Sequence, residues 1–419
     1  MKKNYIFKLI LILFTVLAIG VKAQTTYTNQ LIIVNGGVFS DPDDFVTVSS
    51  FNPETQTISE VATIYTQSVQ DVIIIDNFAY VAAQDSIVKI NIDTYEKVAS
   101  VSAIGINQLA SDGNILLASF WYPVTENFVR IFSLDDLTLQ ANISEISGDA
   151  ADFLIHDGIA LVAVPGAYGS TSGKVASIDI AEGVLLSEDD YGEFYSGIGF
   201  FGFHNDVVTT FMTTAWGETT TNIGTFDDGG NIIEQFTIED ASLAKTAGQH
   251  QQIMYLELNN GISEYNLISN SENAIIDALD ESIASSVVDT INNLFYITTT
   301  DYFSFGSGYI YNFDGTQTGT FEAGISAQAI AIDYRTVTST IENIITDISV
   351  FPNPSSDFIS IKTNGYETFN HIEVIDNTGR KVLTVSNSNK LDIRALNNGL
   401  YFLIAKSNEK VFSSRFIKN

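Results

Sequence analysis

A pattern of four short apolar segments repeats through most of this chain with a period of about 43 residues. Its first two segments are clearest at residues 71–82 (DVIIIDNFAYVA), and they return at residues 152–163 (DFLIHDGIALVA). The segments have the length of β-strands, polar turn residues separate them, and no helical period competes with them. Four short strands at this period are typical of one blade of a β-propeller, as in WD40-like repeats.

The repeat also predicts how the array of blades closes. Its first unit lacks an innermost strand, whereas a lone strand at residues 328–333 (QAIAID) follows the last unit. If the lone strand completes the first unit, the ring leaves no exposed sheet edge there. The sequence therefore predicts an all-β fold with a seven-bladed β-propeller. The seven units are residues 30–64, 69–101, 107–143, 150–186, 198–238, 246–276 and 285–321.

The two ends of the chain lie outside this repeat. Lys2, Lys3 and Lys8 accompany an apolar run at residues 9–20 that is too short to span a bilayer comfortably, and Ala23 offers a small residue for cleavage. This order predicts a cleaved signal peptide, with no transmembrane segment in the mature chain. The expected regions are a signal peptide (1–23), a β-propeller (24–336), a linker (337–346) and a C-terminal domain (347–419).

Charge separates the two folded regions. Residues 25–340 contain 42 acidic and six basic residues, whereas residues 341–419 contain eight acidic and nine basic residues. So negative a region argues against nucleic acid or anionic lipid as a partner and favours cations or cationic ligands. Its acidic clusters make Ca²⁺ the one cofactor that the sequence suggests. The chain has no cysteine, which excludes disulfides, thiolate metal sites and a lipoprotein anchor.

Aromatic residues are concentrated in loops that a propeller would place on one face. Such rings bind ligands well because they offer a large contact area at a low entropic cost. We therefore expect a ligand-binding face there. The alternative is that these rings cap the barrel mouth or pack on one another. The candidate residues are Phe39, Trp121, Tyr122, Tyr168, Tyr195, Trp216, Tyr302 and Phe303.

Catalytic motifs are absent from the sequence: there is no nucleophile elbow, zinc-protease helix or phosphate-binding loop. Propeller enzymes assemble their active sites from distant blades, so the absence of motifs does not exclude an enzyme. The leading hypothesis is a non-catalytic binding module that captures a small molecule, a glycan or a surface protein on the aromatic face. The alternative is a secreted propeller enzyme, such as a lactonase or lyase, that uses carboxylates and Ca²⁺ at the propeller mouth.

The C-terminal region contains three short motifs in a fixed order. They are a Pro-Asn-Pro start, an Asp-x-x-Gly-Arg turn and a Gly-x-Tyr strand, and the region resembles the type A C-terminal sorting domain of the type IX secretion system of Bacteroidetes. The resemblance implies a small Ig-like β-sandwich, export to the cell surface or beyond, and the secretion machinery as a partner. The motif residues are Pro352, Asn353, Pro354, Asp376, Gly379, Arg380, Gly399 and Tyr401.

The repeat itself is similar to the YncE-like seven-bladed propellers. Residues 31–39 (LIIVNGGVF) and 48–55 (VSSFNPET) are also similar to the surface propellers of gut Bacteroidetes that capture cobalamin. Two features depart from that narrower group. Its usual Asn-Glu-Gly appears here as Asn35, Gly36 and Gly37, and its members are anchored by a lipid on cysteine, which this chain lacks.

Overall fold

The computed structural model describes residues 23–38, 40–227, 229–339, 346–362, 369–386, 388–407 and 410–419. The predicted signal peptide before Ala23 and most of the predicted linker lie outside these residues. The chain divides into a unit formed by Thr26–Thr336 and a unit that contains Val337–Asn419. In the described residues the structure is all-β, with one short 3-10 helix (Glu193–Tyr195) and no α-helix. No helix in this part of the chain is long and apolar enough to cross a membrane.

The first unit is built from 28 strands in the described residues. In chain order they are β1 (Ala23–Asn35), β2 (Val46–Asn52), β3 (Thr57–Ile64), β4 (Asp71–Ile75), β5 (Phe78–Ala83), β6 (Ser86–Asn91), β7 (Lys97–Ser102), β8 (Ile106–Ser111), β9 (Ile115–Phe120), β10 (Val129–Ser133), β11 (Leu139–Ile143), β12 (Phe153–His156), β13 (Ile159–Val164), β14 (Lys174–Asp179), β15 (Val184–Asp190), β16 (Ile198–His204), β17 (Val207–Met212), β18 (Thr220–Phe226), β19 (Ile232–Glu239), β20 (Leu243–His250), β21 (Ile253–Leu258), β22 (Gly261–Asn266), β23 (Ser271–Ile276), β24 (Ser282–Asp289), β25 (Leu294–Thr300), β26 (Phe305–Asn312), β27 (Gln317–Ile325) and β28 (Ala327–Ser339).

These strands form seven four-stranded sheets within the described residues. Sheet 1 has the order β28-β1-β2-β3, so the last strand of the unit is the innermost strand of the first sheet. Sheets 2 to 7 are the consecutive groups β4–β7, β8–β11, β12–β15, β16–β19, β20–β23 and β24–β27. Tight turns join the first two strands of several sheets, and Asp76, Asp157 and Gly158 adopt the left-handed backbone that such turns require.

Buried apolar side chains join each sheet to the next. Separate clusters connect sheets 1 and 2, 2 and 3, 3 and 4, 4 and 5, 5 and 6, and 6 and 7. A seventh cluster connects sheet 7 back to sheet 1, where the ring of Phe51 lies 4.5 Å from that of Phe321 and 6.0 Å from that of Tyr296. The sheets therefore follow one another around a closed ring. This arrangement leaves the second strand of each sheet almost wholly buried, as in β5 and β21.

The second unit contains eight described strands in two sheets with a single apolar core between them. Ile359, Leu391, Val374, Leu403 and Phe416 are fully buried in this core. A five-stranded sheet has the order β29-β36-β35-β32-β33, and a three-stranded sheet has the order β30-β31-β34. The strands are β29 (Thr346–Asp347), β30 (Ser349–Phe351), β31 (Phe358–Lys362), β32 (His371–Asp376), β33 (Lys381–Val385), β34 (Lys390–Asp392), β35 (Gly399–Ser407) and β36 (Lys410–Lys418).

Candidate ligand site in the central channel and its loop face

A cavity of about 1080 Å³ lies in the first unit, where the seven innermost strands meet. Every sheet contributes lining residues from its innermost strand or from the connection just before it. This cavity is the central channel of the ring. One lining residue from each of sheets 1 to 7, in order, is Ala329, Asp71, Gln108, Asp152, Phe200, Thr246 and Ser286.

Two carboxyl groups border the channel at equivalent positions of sheets 2 and 4. Asp71 begins β4 and pairs with Ala82, and Asp152 precedes β12 and contacts Ala163 in the same way. Asp71 Oδ2 accepts a hydrogen bond from the backbone N–H of Leu109 in the next sheet (2.9 Å). Asp152 Oδ2 accepts a hydrogen bond from the backbone N–H of Phe201 in sheet 5 (3.2 Å). Each carboxyl group thus links two neighbouring sheets while it faces the channel.

Their deep position alters the protonation of both groups. Desolvation raises the pKa of Asp71 to about 6, although hydrogen bonds from Leu109 and Val72 and the charge of Lys245 oppose the rise. Desolvation, assisted by the nearby charge of Asp71, raises the pKa of Asp152 to about 7. Two acids that change protonation near neutral pH therefore lie in one cavity, which is the condition that acid–base chemistry needs.

A lysine and a glutamate complete the charged lining of the channel. Lys245 extends from β20 and donates hydrogen bonds to the carbonyl oxygens of Ala284 (3.0 Å) and Gln328 (3.3 Å), so it reaches sheets 7 and 1. Glu257 on β21 is buried and accepts a hydrogen bond from Ser286 Oγ, and burial raises its pKa. Sequence reasoning missed these groups and the two aspartates. Glu257 left a signal, because it is a charge within the otherwise apolar strand β21, whereas the aspartates stand at or before the start of their strands.

Three of the predicted aromatic residues lie at the mouth of the channel. Trp121, Tyr302 and Phe303 all line the cavity, and the side chains of Trp121 and Phe303 remain 45% and 68% exposed. Trp121 lies between β9 and β10, and the other two lie between β25 and β26. The structure thus brings together, at one opening, rings that are about 180 residues apart in the chain.

The other predicted rings are distributed differently. Tyr122, Tyr168 and Trp216 lie on loops that also join second to third strands, but their side chains are almost fully exposed and do not line the cavity. Phe39 lies outside the described residues. The loops form one face because each is hydrogen-bonded to a connection between sheets, as Trp121 N–H is to Gly105 O (2.9 Å) and Thr213 N–H is to Gly197 O (2.9 Å).

Tyr195 is a correction to the predicted ligand-binding set. Its side chain is fully buried and lies 5.2–5.4 Å from the rings of Tyr191, Phe194 and Phe226. It fills the space above Gly224, where a Cβ atom would lie 2.3 Å from the ring. A ring that occupies the core between sheets 4 and 5 cannot contact a ligand, so for this residue the alternative of mutual packing is right.

The acidic loops that suggested Ca²⁺ use their carboxylates in local hydrogen bonds. Asp44 Oδ2 accepts a bond from Val38 N–H (2.7 Å), Glu188 pairs with Lys174 (3.1 Å), and Asp227 binds the side chain and backbone of Asn231. Asp228 lies outside the described residues. Among the residues that the structure describes, no group of three or more acidic or histidine side chains is arranged to hold a metal ion.

The motif residues of the C-terminal unit mostly have local structural tasks. Asp376 Oδ1 accepts hydrogen bonds from the N–H groups of Thr378 (2.9 Å) and Arg380 (3.1 Å), while Oδ2 pairs with Arg380 Nε (3.2 Å). These contacts hold the pKa of Asp376 at about 2, with the hydrogen bond from the Thr378 hydroxyl as the largest cause. Gly379 completes the turn at a φ of 84°, a conformation that favours glycine.

The remaining motif residues connect the ends of this unit. Asn353, between Pro352 and Pro354, donates a hydrogen bond to Arg415 O (3.1 Å) and accepts one from Ile417 N–H (2.9 Å), which attaches the start of the domain to its last strand. The hydroxyl of Tyr401 donates to Asn397 O (2.8 Å). Gly399 has space for a side chain, since an added Cβ atom would meet only the Tyr401 ring at 3.9 Å.

Comparison with known proteins agrees with this division. Residues 349–419 match the family model of the secretion system C-terminal sorting domain. No curated protein matches the sequence. The chain therefore carries a type IX sorting domain, which interacts with the type IX secretion machinery and directs export to the cell surface or the extracellular space.

Solved structures similar to this chain are propeller-like proteins with low sequence identity. The Pseudomonas aeruginosa periplasmic gluconolactonase has a TM-score of 0.55 and 10% identity over 75% of this chain and 99% of its own. A functionally unknown protein from Desulfotomaculum acetoxidans has a TM-score of 0.53 and 16% identity over 73% and 99%. A quinonprotein alcohol dehydrogenase-like protein from Bacteroides thetaiotaomicron has a TM-score of 0.51 and 14% identity over 74% and 78%. At such identities the similarity shows a propeller-like fold alone.

Proposed function

We propose that this protein is a secreted or cell-surface, non-catalytic binding propeller. In this proposal residues 1–23 are a signal peptide, residues 24–336 form a seven-bladed β-propeller, residues 337–346 are a linker, and residues 347–419 form an Ig-like sorting domain. The single observation that carries the binding function is the channel of about 1080 Å³ with Trp121, Tyr302 and Phe303 at its mouth. A concave site of this size, with aromatic rings and a few polar groups, has the anatomy of a ligand site.

The polar lining of the channel supports binding as well. The carboxamide groups of Gln108 and Gln328 line the cavity and form no hydrogen bond with another described residue. A carboxamide offers both donors and an acceptor, so these two side chains can fix the orientation of a polar ligand. The aromatic rim supplies contact area, and the free carboxamides supply orientation.

The two tryptophans of the chain test this location directly. The variant Trp216→Phe leaves Trp121 as the single emitter, and the variant Trp121→Phe leaves Trp216. Protein starting at Gln24 is titrated with neutral oligosaccharides, cobalamin and amino acids, with EDTA and Ca²⁺ arms and an inner-filter correction for the coloured corrinoid. We expect saturable quenching of Trp121 by one ligand, and a smaller response of Trp216 to the same ligand.

Affinity changes complete the test. Trp121→Ala should weaken binding by about tenfold, because it removes a half-exposed ring that lines the cavity. Ile268→Ala, which removes an exposed apolar side chain from a turn at the other end of sheet 6, should leave the affinity unchanged. A ligand that binds equally well to the Trp121→Ala variant would place its site elsewhere and contradict the proposal.

The narrower resemblances to known families guide only the choice of ligands to test. The similarity of residues 31–39 and 48–55 to surface propellers that capture cobalamin is the reason to include that compound. The YncE-like resemblance supports the propeller itself. Binding of cobalamin in the channel would extend the narrower resemblance to function, and binding of another ligand alone would limit it to the fold.

A secreted enzyme is the second candidate, and one observation favours it. Asp71 and Asp152 lie in the same cavity with pKa values of about 6 and about 7, so each can exchange a proton near neutral pH. One structurally similar protein is a gluconolactonase. Turnover of sugar lactones, followed by acid release, would support this candidate if it is lost in Asp152→Asn and retained in the exposed-site control Asp157→Asn.

A further inference from the structure

The loop face of the first unit is uneven in height, because the loops that join the second and third strands differ in length from sheet to sheet. In sheets 3, 4 and 5 the second and third strands are joined by residues 121–128, 165–173 and 213–219. Sheets 7 and 1 use residues 301–304 and 36–45. In sheets 2 and 6 the same connection is a two-residue turn, Gln84–Asp85 and Asn259–Asn260. The face is therefore low at sheets 2 and 6 and raised elsewhere.

The two low positions lie across the ring from each other. The apolar clusters show that the sheets follow one another in chain order and that sheet 7 contacts sheet 1. Sheets 3, 4 and 5 thus form one raised bank, and sheets 7 and 1 form the other. A cleft with two open ends runs between the banks, from sheet 2 to sheet 6, over the channel mouth. Of the connections beside its ends, 103–105 and 240–242 are short, whereas 65–70 and 277–281 are longer.

Exposed aromatic rings stand on both banks. The first bank carries Trp121, Tyr168 and Trp216, and the second carries Tyr302, Phe303 and Tyr65. Tyr65 is held by an edge-to-face contact with Phe45 at 5.2 Å. Between the banks lie the channel and its free carboxamides, Gln108 and Gln328.

We propose that this cleft binds an extended, uncharged polysaccharide chain that crosses the face from sheet 2 to sheet 6. The proposal rests on the proposed binding function and specifies its ligand. Sugar rings have apolar faces that pack on aromatic rings, and hydroxyl groups that both donate and accept hydrogen bonds, as carboxamides do. A cleft open at both ends accommodates a chain longer than the site, which a closed pocket cannot.

Charge and strand direction select this occupant over other polymers. Residues 25–340, which form the unit that bears the cleft, contain 42 acidic and six basic residues, so an anionic polysaccharide is repelled. One way in which an extended peptide binds is to pair its main chain with a strand edge. Here the strands end at the loop face, so no strand edge lies along the cleft for such pairing.

The experiment compares short and long neutral glycans on the unaltered protein and on two insertion variants. Cello-, manno- and laminari-oligosaccharides, from disaccharides to octasaccharides, are titrated together with the parent polymers, polygalacturonate and oligolysine. One variant carries about eight Gly and Ser residues inserted into the turns Gln84–Asp85 and Asn259–Asn260, long enough to block both openings. The matched control carries the same insert at Asp112–Gly113, a turn on the opposite face.

We expect affinity for one neutral series to rise with chain length until the cleft is spanned. The blocking inserts should weaken binding of the polymer by about tenfold or more and leave the disaccharide nearly unchanged, while the control insert changes neither. Thermal unfolding shows whether each variant is folded, and the length series on the unaltered protein does not depend on any variant.

Three results would overturn the inference. Quenching of Trp121 by small ligands without any dependence on chain length would reject the cleft and leave the proposed channel site standing. Preference for oligolysine over every glycan would reject the polysaccharide and indicate a basic peptide. Failure of every neutral glycan to bind would reject the polysaccharide as well, and the proposed function would then depend on the response of Trp121 to the non-carbohydrate ligands.

Discussion

The two units of this protein hold their informative residues in different ways. In the C-terminal unit, Asp376 binds residues two and four positions away. The residues that form the sequence motif are therefore the same residues that form the structural contact. In the first unit, the channel mouth joins Trp121 to Tyr302 and Phe303, and the ring closes where Phe51 meets Phe321. Contacts between residues close together in the chain can be recognised in the sequence as a motif. Contacts between distant residues cannot, because each partner stands alone in its own part of the sequence.

The largest expected effect tests the distant contacts. Phe51→Ala should destabilise the first unit by about 3–5 kcal/mol, because it removes a fully buried ring from the cluster that joins sheets 7 and 1. Chemical denaturation measures the change in the free energy of unfolding. Phe303→Ala removes the same side chain at an exposed site, and the expected change is within about 0.5 kcal/mol. Equal effects of the two substitutions would mean that closure of the ring contributes little.

A smaller effect is expected at the channel and depends on pH. Burial raises the pKa of Asp152 from 3.8 to about 7, so the folded state holds this proton more tightly than the unfolded chain does. The contribution to stability is therefore complete below pH 3.8 and is lost as the pH rises through about 7. Asp152→Asn should raise stability at pH 8 by about 1–2 kcal/mol, since it keeps an acceptor for Phe201 N–H and removes the buried charge.

Thermal unfolding from pH 4 to pH 8 measures this effect. The wild-type melting temperature should fall more steeply with pH than that of Asp152→Asn. The control is Asp157→Asn, at a side chain that is 89% exposed, and its pH profile should follow the wild type. Parallel profiles for the wild type and Asp152→Asn would show that Asp152 is ionised at low cost in the folded protein.

Two glycines of the C-terminal motifs differ in the effect expected on substitution. Gly379→Ala should destabilise the C-terminal unit by about 1–2 kcal/mol, because its φ of 84° is unfavourable for a residue with a Cβ atom. Gly399→Ala should change stability by less than about 0.5 kcal/mol, because the site has room and needs no left-handed backbone. Denaturation of the purified protein followed by circular dichroism compares them. If Gly399→Ala proves the more harmful, the packing at the start of β35 matters more than the turn.

Part of the candidate site could be predicted from the sequence. Trp121, Tyr302 and Phe303 stand in polar loops between strands, and loops at the same step of a repeat share one face of a ring. Tyr195 stands in an equally polar stretch, yet Gly224, 29 residues later, leaves the space that its ring fills. The sequence does not show which ring meets which gap, because that depends on how neighbouring sheets pack.

The sequence by itself determined the all-β class, the repeated four-strand unit, the negative charge and the export domain. Each of these depends on composition or on residues close together in the chain, such as those of the turn from Asp376 to Arg380. Only the tertiary structure decided that Asp71, Asp152, Lys245 and Glu257 face a common channel, and that the two-residue turns of sheets 2 and 6 lie on opposite sides of the ring. The physical reason is that closure of the ring brings together residues from seven sheets. These residues are far apart in the chain, so no local sequence pattern shows that they are neighbours.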